Sequence, residues 1–168
     1  MHYMVIRKAR HSEMSVIMAL FEQAKAYMHS QGNTRQWGDD YPPCSLIEQE
    51  IAAGHFYCVE RDDAVVGVFS FLFGEDVEPT YAVIYDGRWM YDEPYGVVHR
   101  LASNGTVKGI ADYCFEWCKQ RCQYLRVDTH RDNKTMQQAA LRNGFVRSGI
   151  IVLSRNGDKR IAYEWHKE

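Results

Sequence analysis

Apolar positions along the chain change period several times, and each change marks a predicted element. Residues 4–9 alternate loosely around Val5 and Ile6 and read as a first strand. Ser12 is placed to cap a helix carrying Met14, Ile17, Met18, Phe21, Ala24 and Met28 on one face, which frays near Gly32. After the aromatic, turn-rich stretch 37–43, Ser45 and Glu48 have the spacing of a capping box, and the short helix they open stops at Gly54. Strands are expected over 55–60 and 65–73, joined by the polar turn Arg61-Asp62-Asp63. The second is apolar without alternation, the pattern of a strand covered on both faces. Further strands are expected over 81–85 and 95–102. Ile110, Cys114, Trp117 and Cys118 share a face of a helix over 109–122. A strand over 124–129 then precedes a helix over 133–143 with Met136, Ala139 and Ala140 at packing spacing, ended by Gly144. Residues 149–153 and 160–165, separated by Asn156-Gly157, close the chain as a hairpin.

This order predicts one α/β domain over 1–168, a mixed sheet with helices covering both faces. The length of 168 residues and the 46% hydrophobic content suit a single filled core. Lys plus Arg (20) nearly balances Asp plus Glu (22), so no nucleic-acid partner is expected. The richest apolar stretch, 65–73, falls short of the roughly 18 residues that span a bilayer, so no membrane partner is expected either. Charges near the N-terminus stand where a signal peptide would be apolar, and the expectation is a soluble, cytoplasmic protein. Of the five cysteines, Cys114, Cys118 and Cys122 recur along one helical stripe and read as packed thiols. Without a C-x-x-C pair no metal is expected; the rival reading is a metal site made by these three with His130.

Chemistry enters with the segment 101–111, a strand, a glycine-containing turn and a helix start. Exposed N–H groups and the helix dipole make such a start an anion site, and Lys108 adds charge. The segment lacks both the P-loop pattern and G-x-G-x-x-G. After the next strand come Asp132-Asn133-Lys134, a helix with two alanines, and Gly144-Phe145. Together these resemble the GNAT acetyltransferase superfamily over essentially the whole chain. The resemblance implies a mostly antiparallel sheet and acetyl-CoA as the donor. The family's Q/R-x-x-G-x-G/A loop, which binds the coenzyme A pyrophosphate, corresponds to Thr106-Val107-Lys108-Gly109-Ile110-Ala111, with threonine in the first place. Backbone groups of Leu101, Ala102 and Ser103 would then lie near the thioester, with Asn133 and Met136 beside the pantetheine arm. Met136 takes the place of the usual alanine. In many relatives a tyrosine on this helix protonates the departing thiolate; here Ala140 stands in its place, so another group or water must serve.

Acetyl transfer to an amine needs a base, because a protonated amine of pKa near 10 cannot attack. Tyr95, Val97, His99 and Leu101 share one face of the strand over 95–102. Tyr95 sits where some relatives carry a catalytic glutamate. His99 titrates in the right range for a base, and reads equally as a hydrogen-bonded core histidine. Asp128 and His130 form an i, i+2 pair that is either catalytic or structural, and Tyr163 is a more distant candidate. Trp37, Tyr41, Trp89 and Tyr91 would surround an acceptor, with Asp39, Asp40 or Asp92 supplying charge; alternatively these aromatics pin loops to the sheet. The function expected is transfer of acetyl from acetyl-CoA to a primary amine of a small molecule, amino acid or peptide, by direct attack in a ternary complex. Transfer of a longer acyl group and an idle acyl-CoA-binding module are the rivals, and the fold is compatible with a homodimer.

Overall fold

The computed structural model describes residues 3–38 and 40–168. A seven-stranded sheet runs through it in the order β1-β2-β3-β4-β5-β7-β6. The strands are β1 (Met4–Lys8), β2 (Phe56–Arg61), β3 (Ala64–Gly74), β4 (Tyr95–Ser103), β5 (Tyr124–Thr129), β6 (Val146–Val152) and β7 (Lys159–His166). The helices are α1 (Met14–Ser30), α2 (Cys44–Ala53), α3 (Ile110–Lys119) and α4 (Lys134–Arg142). All neighbouring strands are antiparallel except β4 and β5.

Local chemistry explains most boundaries. Asp62 and Asp63 both take positive φ in the β2–β3 turn, the conformation that matches the twist of a tight hairpin. Asn133 caps α4 by accepting from the Met136 N–H at 3.1 Å. Three starts differ from expectation. A 3-10 turn (His11–Glu13) precedes α1, and the Glu13 carboxylate, not Ser12, accepts the Arg10 N–H at 2.8 Å while Arg7 holds it from the other side. Helix α2 begins one residue before Ser45, with Pro43 as its N-cap, so the predicted capping box is not made. The stretch 81–85 is not a strand. Pro79 suits the first turn of a helix and the Glu78 carboxylate accepts from the Thr80 N–H, so 79–82 winds into a 3-10 turn and Tyr85 alone bridges to Ile150.

Three apolar clusters cover the sheet. Helices α3 and α4 pack on one face through Cys114, Phe115, Ala139 and Phe145 against Phe69, Val98, Leu125 and Tyr163. On the other face, α1 and α2 cover Phe56, Cys58 and Val68, while Tyr81 and Trp89 cover Tyr95, Val97 and Tyr124. Strand β3, buried over most of its length, is sandwiched between the layers as its unbroken apolar run requires.

Two irregularities in β4 create the site. The register with β3 slips where Val68↔Ala102 gives way to Ser70↔His99, so β4 carries one extra residue, and Arg100 there takes φ 53°. A one-residue insertion reverses the faces beyond it. Val97 and His99, whose ring lies 6.3 Å from that of Tyr81, stay on the Tyr81 side, whereas Leu101 moves to the α3–α4 side and Ala102 to the α1–α2 side. The regular alternation expected through Leu101 is therefore broken. Beside it, β4 and β5 pair only at Gly96↔Leu125 and Val97↔Arg126, then part.

Candidate active site

The parting of β4 from β5 opens two cavities that meet at Met28, Leu101, Asn133 and Met136. One is a groove of about 570 Å3 between α1, α4 and the start of α3. Its wall includes Leu101, Ala102 and Ser103 from β4, then Val107, Lys108, Gly109, Ile110 and Ala111. Gly109 is the N-cap of α3 with φ 80°, a conformation that favours glycine, and no side chain caps the helix. The uncapped N–H groups and Lys108 give this end of the groove a positive character. Thr106 lies outside the groove lining, exposed, with its N–H and hydroxyl both donating to the Asn104 side chain. Asn133 and Met136 border the groove at the junction.

The second cavity, about 260 Å3, lies across the junction between β4 and β5, lined by Glu78, Thr80, His99 and Asp128 and, from the α3–α4 core, by Val98, Phe115 and Val127. His99 borders it, and its Nε2 lies 2.8 Å from Glu78 Oε2. Burial alone would lower the His99 pKa, but the bond to Glu78 and the nearby Asp128 charge raise it overall. Burial alone would raise Glu78, but its bond to His99 holds it down, at about 2. Tyr81 donates to Asp128 Oδ2 at 2.6 Å. Burial, then Asp128, pushes the Tyr81 phenol well above its ordinary value, so it remains a hydrogen-bond donor.

Tyr95 stands behind this pair: its hydroxyl accepts from the Glu78 N–H at 3.4 Å, and the Arg126 guanidinium lies 4.1 Å from its ring. Trp37 and Tyr41 line the cavity, and Tyr41 accepts from Arg100 at 2.9 Å. Trp89 and Tyr91 line neither cavity. Trp89 donates to the Tyr81 carbonyl and covers Arg126, and Tyr91 stacks on His166 at 3.9 Å, so both pin the 79–91 segment to the sheet. Asp40 and Asp92 are exposed and line neither cavity; Asp39 lies outside the described residues. The expected Asp128–His130 pair is not formed, because β5 ends at Thr129 and His130 turns its Nδ1 to the Asp132 N–H. Tyr163 packs on the opposite, α3–α4 face.

Ala140 is 0% exposed and packs in the α3–α4 core, so this helix position offers no proton. Cys114 and Cys118 lie in the same core, where burial pushes both thiols up. Among the described residues no three His, Cys, Asp or Glu side chains gather to hold a metal ion. No described helix is long and apolar enough to cross a membrane.

Besides Glu78, five residues that sequence reading passed over complete the site. Gln36 ties the 31–43 loop to the end of β5, its side-chain oxygen accepting from Thr129, His130 and Asn133. Arg100 pairs with Glu50, which also accepts from Ser70. Arg155 and Arg160 both donate to the Gln36 carbonyl. Glu50 had a legible signal, since it falls three residues after Ile47 on the buried stripe of α2. Glu78 and the two arginines sit in irregular or hairpin segments where no period marks them.

The model of the acetyltransferase (GNAT) family matches residues 17–145. An acetyltransferase of that family from Streptococcus agalactiae is 28% identical, with a TM-score of 0.85 over 98% of this chain and 96% of its own. A Listeria monocytogenes member (20% identity, TM-score 0.71, 97% and 94% covered) and one from Bacillus cereus (18%, 0.66, 99% and 99%) share the fold. Among curated protein sequences none matches this chain. The family model spans most of the chain, and the fold superposes on these neighbours over nearly its whole length: this chain belongs to the acetyltransferase (GNAT) family.

Proposed function

We propose that the protein transfers acetyl from acetyl-CoA to a primary amine, with His99 as the base. The observation that carries this reading is the juxtaposition of His99, held by Glu78, with the mouth of a groove whose far end is an uncapped helix start. The groove fits an extended donor with an anionic end. Lys108 and the N–H groups around Gly109 would take the pyrophosphate, and Asn133 and Met136 would flank the pantetheine arm. Acetyl-CoA supplies an activated thioester and a thiol leaving group. The chain's own part is to bind, orient and move protons. His99 accepts the amine proton; the N–H freed from the ladder at the Arg100 bulge offers a donor for the developing oxyanion. The departing thiolate, of ordinary pKa about 8.5, takes a proton from water in place of a side chain at Ala140.

The bond to Glu78 and the Asp128 charge outweigh burial and make the His99 imidazolium persist to higher pH than usual, so activity should rise as pH passes upward through its pKa. Thiol release from acetyl-CoA with an amine panel tests the reading. His99→Ala should lower turnover roughly 10²-fold at neutral pH; a rate within a few-fold of the parent would remove His99 as the base. The absence of a hydroxyl at Ala140 favours a second reading, an acyl-CoA-binding module without turnover. Tight acetyl-CoA binding with no thiol release from any amine would select it.

A further inference from the structure

The charges around the acceptor cavity are segregated. At the β4–β5 floor stand His99, Glu78 and Asp128. Glu78 is committed to His99, but Asp128 accepts only from the neutral Tyr81 hydroxyl, and among the described residues it has no cation at ion-pair distance. At the opposite end stand Arg155 and Arg160, from the β6–β7 hairpin. Both donate to one uncharged acceptor, the Gln36 carbonyl, at 3.2 and 2.6 Å. Arg155 lies over the Tyr41 ring at 4.1 Å and has no carboxylate partner among the described residues. Arg160 is 2% exposed; its one ion pair among the described residues is with the half-exposed Asp158, 3.6 Å away, and the Asp128 charge reaches it across the cavity. Arg100, the third guanidinium of the wall, is neutralised by Glu50. The cavity thus sets Asp128 at its floor, with no ion pair among the described residues, against two guanidinium groups at its rim, Arg155 without a carboxylate partner and Arg160 buried beside Asp158 alone. A buried charge without a partner is costly, and a ligand of opposite charge removes that cost.

The two ends are close. Asp128 is opposite Ala162 in the β5–β7 ladder, and Arg160 lies two residues further along β7, roughly 7 Å of strand. Side chains converging from that separation fit a small molecule carrying both charges, and a cavity of about 260 Å3 suits one of that size. We propose that the acceptor is a free amino acid, bound as its zwitterion with the ammonium at Asp128 and the carboxylate at Arg155 and Arg160. This deepens, and rests on, the acetyltransferase reading. The ammonium gives up one proton to His99; its nitrogen then forms the C–N bond as the C–S bond of the thioester breaks. A second proton leaves nitrogen and one is taken up by the thiolate, giving an N-acetyl amino acid, free coenzyme A thiol and one proton released to solvent.

The test is thiol release from acetyl-CoA with each protein amino acid, set against its carboxamide and its decarboxylated amine. For the preferred side chain, kcat/KM should be at least tenfold higher for the amino acid than for either control. Arg155 is exposed and in a turn, so Arg155→Ala should fold; it should collapse that ratio to below about threefold, through KM, and Arg155→Lys should restore part of it. Carboxamides or plain amines that match or exceed the amino acids would overturn the proposal while leaving the acetyltransferase reading intact. Dipeptides preferred over free amino acids would do the same. Binding of acetyl-CoA without release on any acceptor would overturn both readings.

Discussion

Replacing Glu78 by glutamine removes one charge and keeps the shape, so it isolates the electrostatics of the His99 pair. The Glu78 carboxyl sits at about 2, against an ordinary 4.5, and its side chain is only 22% exposed. That depression corresponds to about 3 kcal/mol of folding stability near pH 5.5. A lowered carboxyl pKa stabilises above the unfolded value and loses that contribution as pH falls toward 2, so at pH 3 only roughly half should remain. His99 works in the opposite sense. Its folded pKa is raised above 6.5, so its contribution is complete below 6.5 and is lost as pH rises through the folded value. The stability difference between the parent and Glu78→Gln should therefore peak between about pH 4.5 and 6.5 and decline on both sides. Urea unfolding at pH 3, 5.5 and 8.5 measures it. A difference that stays constant to within about 0.5 kcal/mol from pH 3 to 5.5 would refute a charged pair. The same variant also probes catalysis: without its carboxylate partner His99 becomes less basic, and the acid limb of kcat/KM should move to lower pH. A shifted stability profile with an unmoved limb would mean that some other group is the base.

Other outcomes follow from single positions. Gly109→Trp puts an indole at the α3 N-cap, so acetyl-CoA should no longer raise the unfolding temperature; the parent, at a hundredfold excess over Kd, should gain about 2.7 kcal/mol. A preserved shift in the variant would place the pyrophosphate elsewhere. A Cβ at Gly96 would lie 2.8 Å from Phe71, 2.9 Å from Leu125 and 3.0 Å from Cys122, so Gly96→Ala should cost roughly 1–3 kcal/mol in denaturant unfolding. A neutral result would mean that the β4–β5 junction is looser than this packing implies.

What the sequence disclosed was whatever carries a period or a local backbone code. The amphipathic stripes of α1 and α3, the unbroken apolar run of β3 and the terminal glycines Gly54 and Gly144 located most elements to within a few residues. Most of the residues proposed to meet the donor line one groove, because a strand–glycine–helix segment and an Asn cap are local features. The acceptor side was not legible in the same way. Glu78 acts through a 3-10 turn, Gln36 through an irregular loop, and Arg155 and Arg160 through a hairpin more than fifty residues from His99; their meeting is a property of the sheet order β4-β5-β7-β6. Trp89 and Tyr91 misled for the same reason. Their ring chemistry suited an acceptor, but an arginine and a histidine of neighbouring strands, Arg126 and His166, claim them as packing partners.

The extra residue in β4 ties these observations together. A non-glycine residue at φ 53° costs on the order of 1 kcal/mol, and Arg100 accepts that cost in the strand where alternation would otherwise have continued. Its ion pair with Glu50 and its bond to Tyr41 hold the strained residue, and in doing so they anchor α2 and the aromatic loop to the centre of the sheet. The same insertion leaves His99 on the acceptor face while turning Leu101 to the α4 side, where it borders both cavities. A regular strand would have put Leu101 and His99 on one face, and the groove would have ended behind the sheet from the base. The bulge would therefore let the proposed donor, approaching from α3 and α4, and the proposed acceptor, approaching from β7, reach the same point of β4.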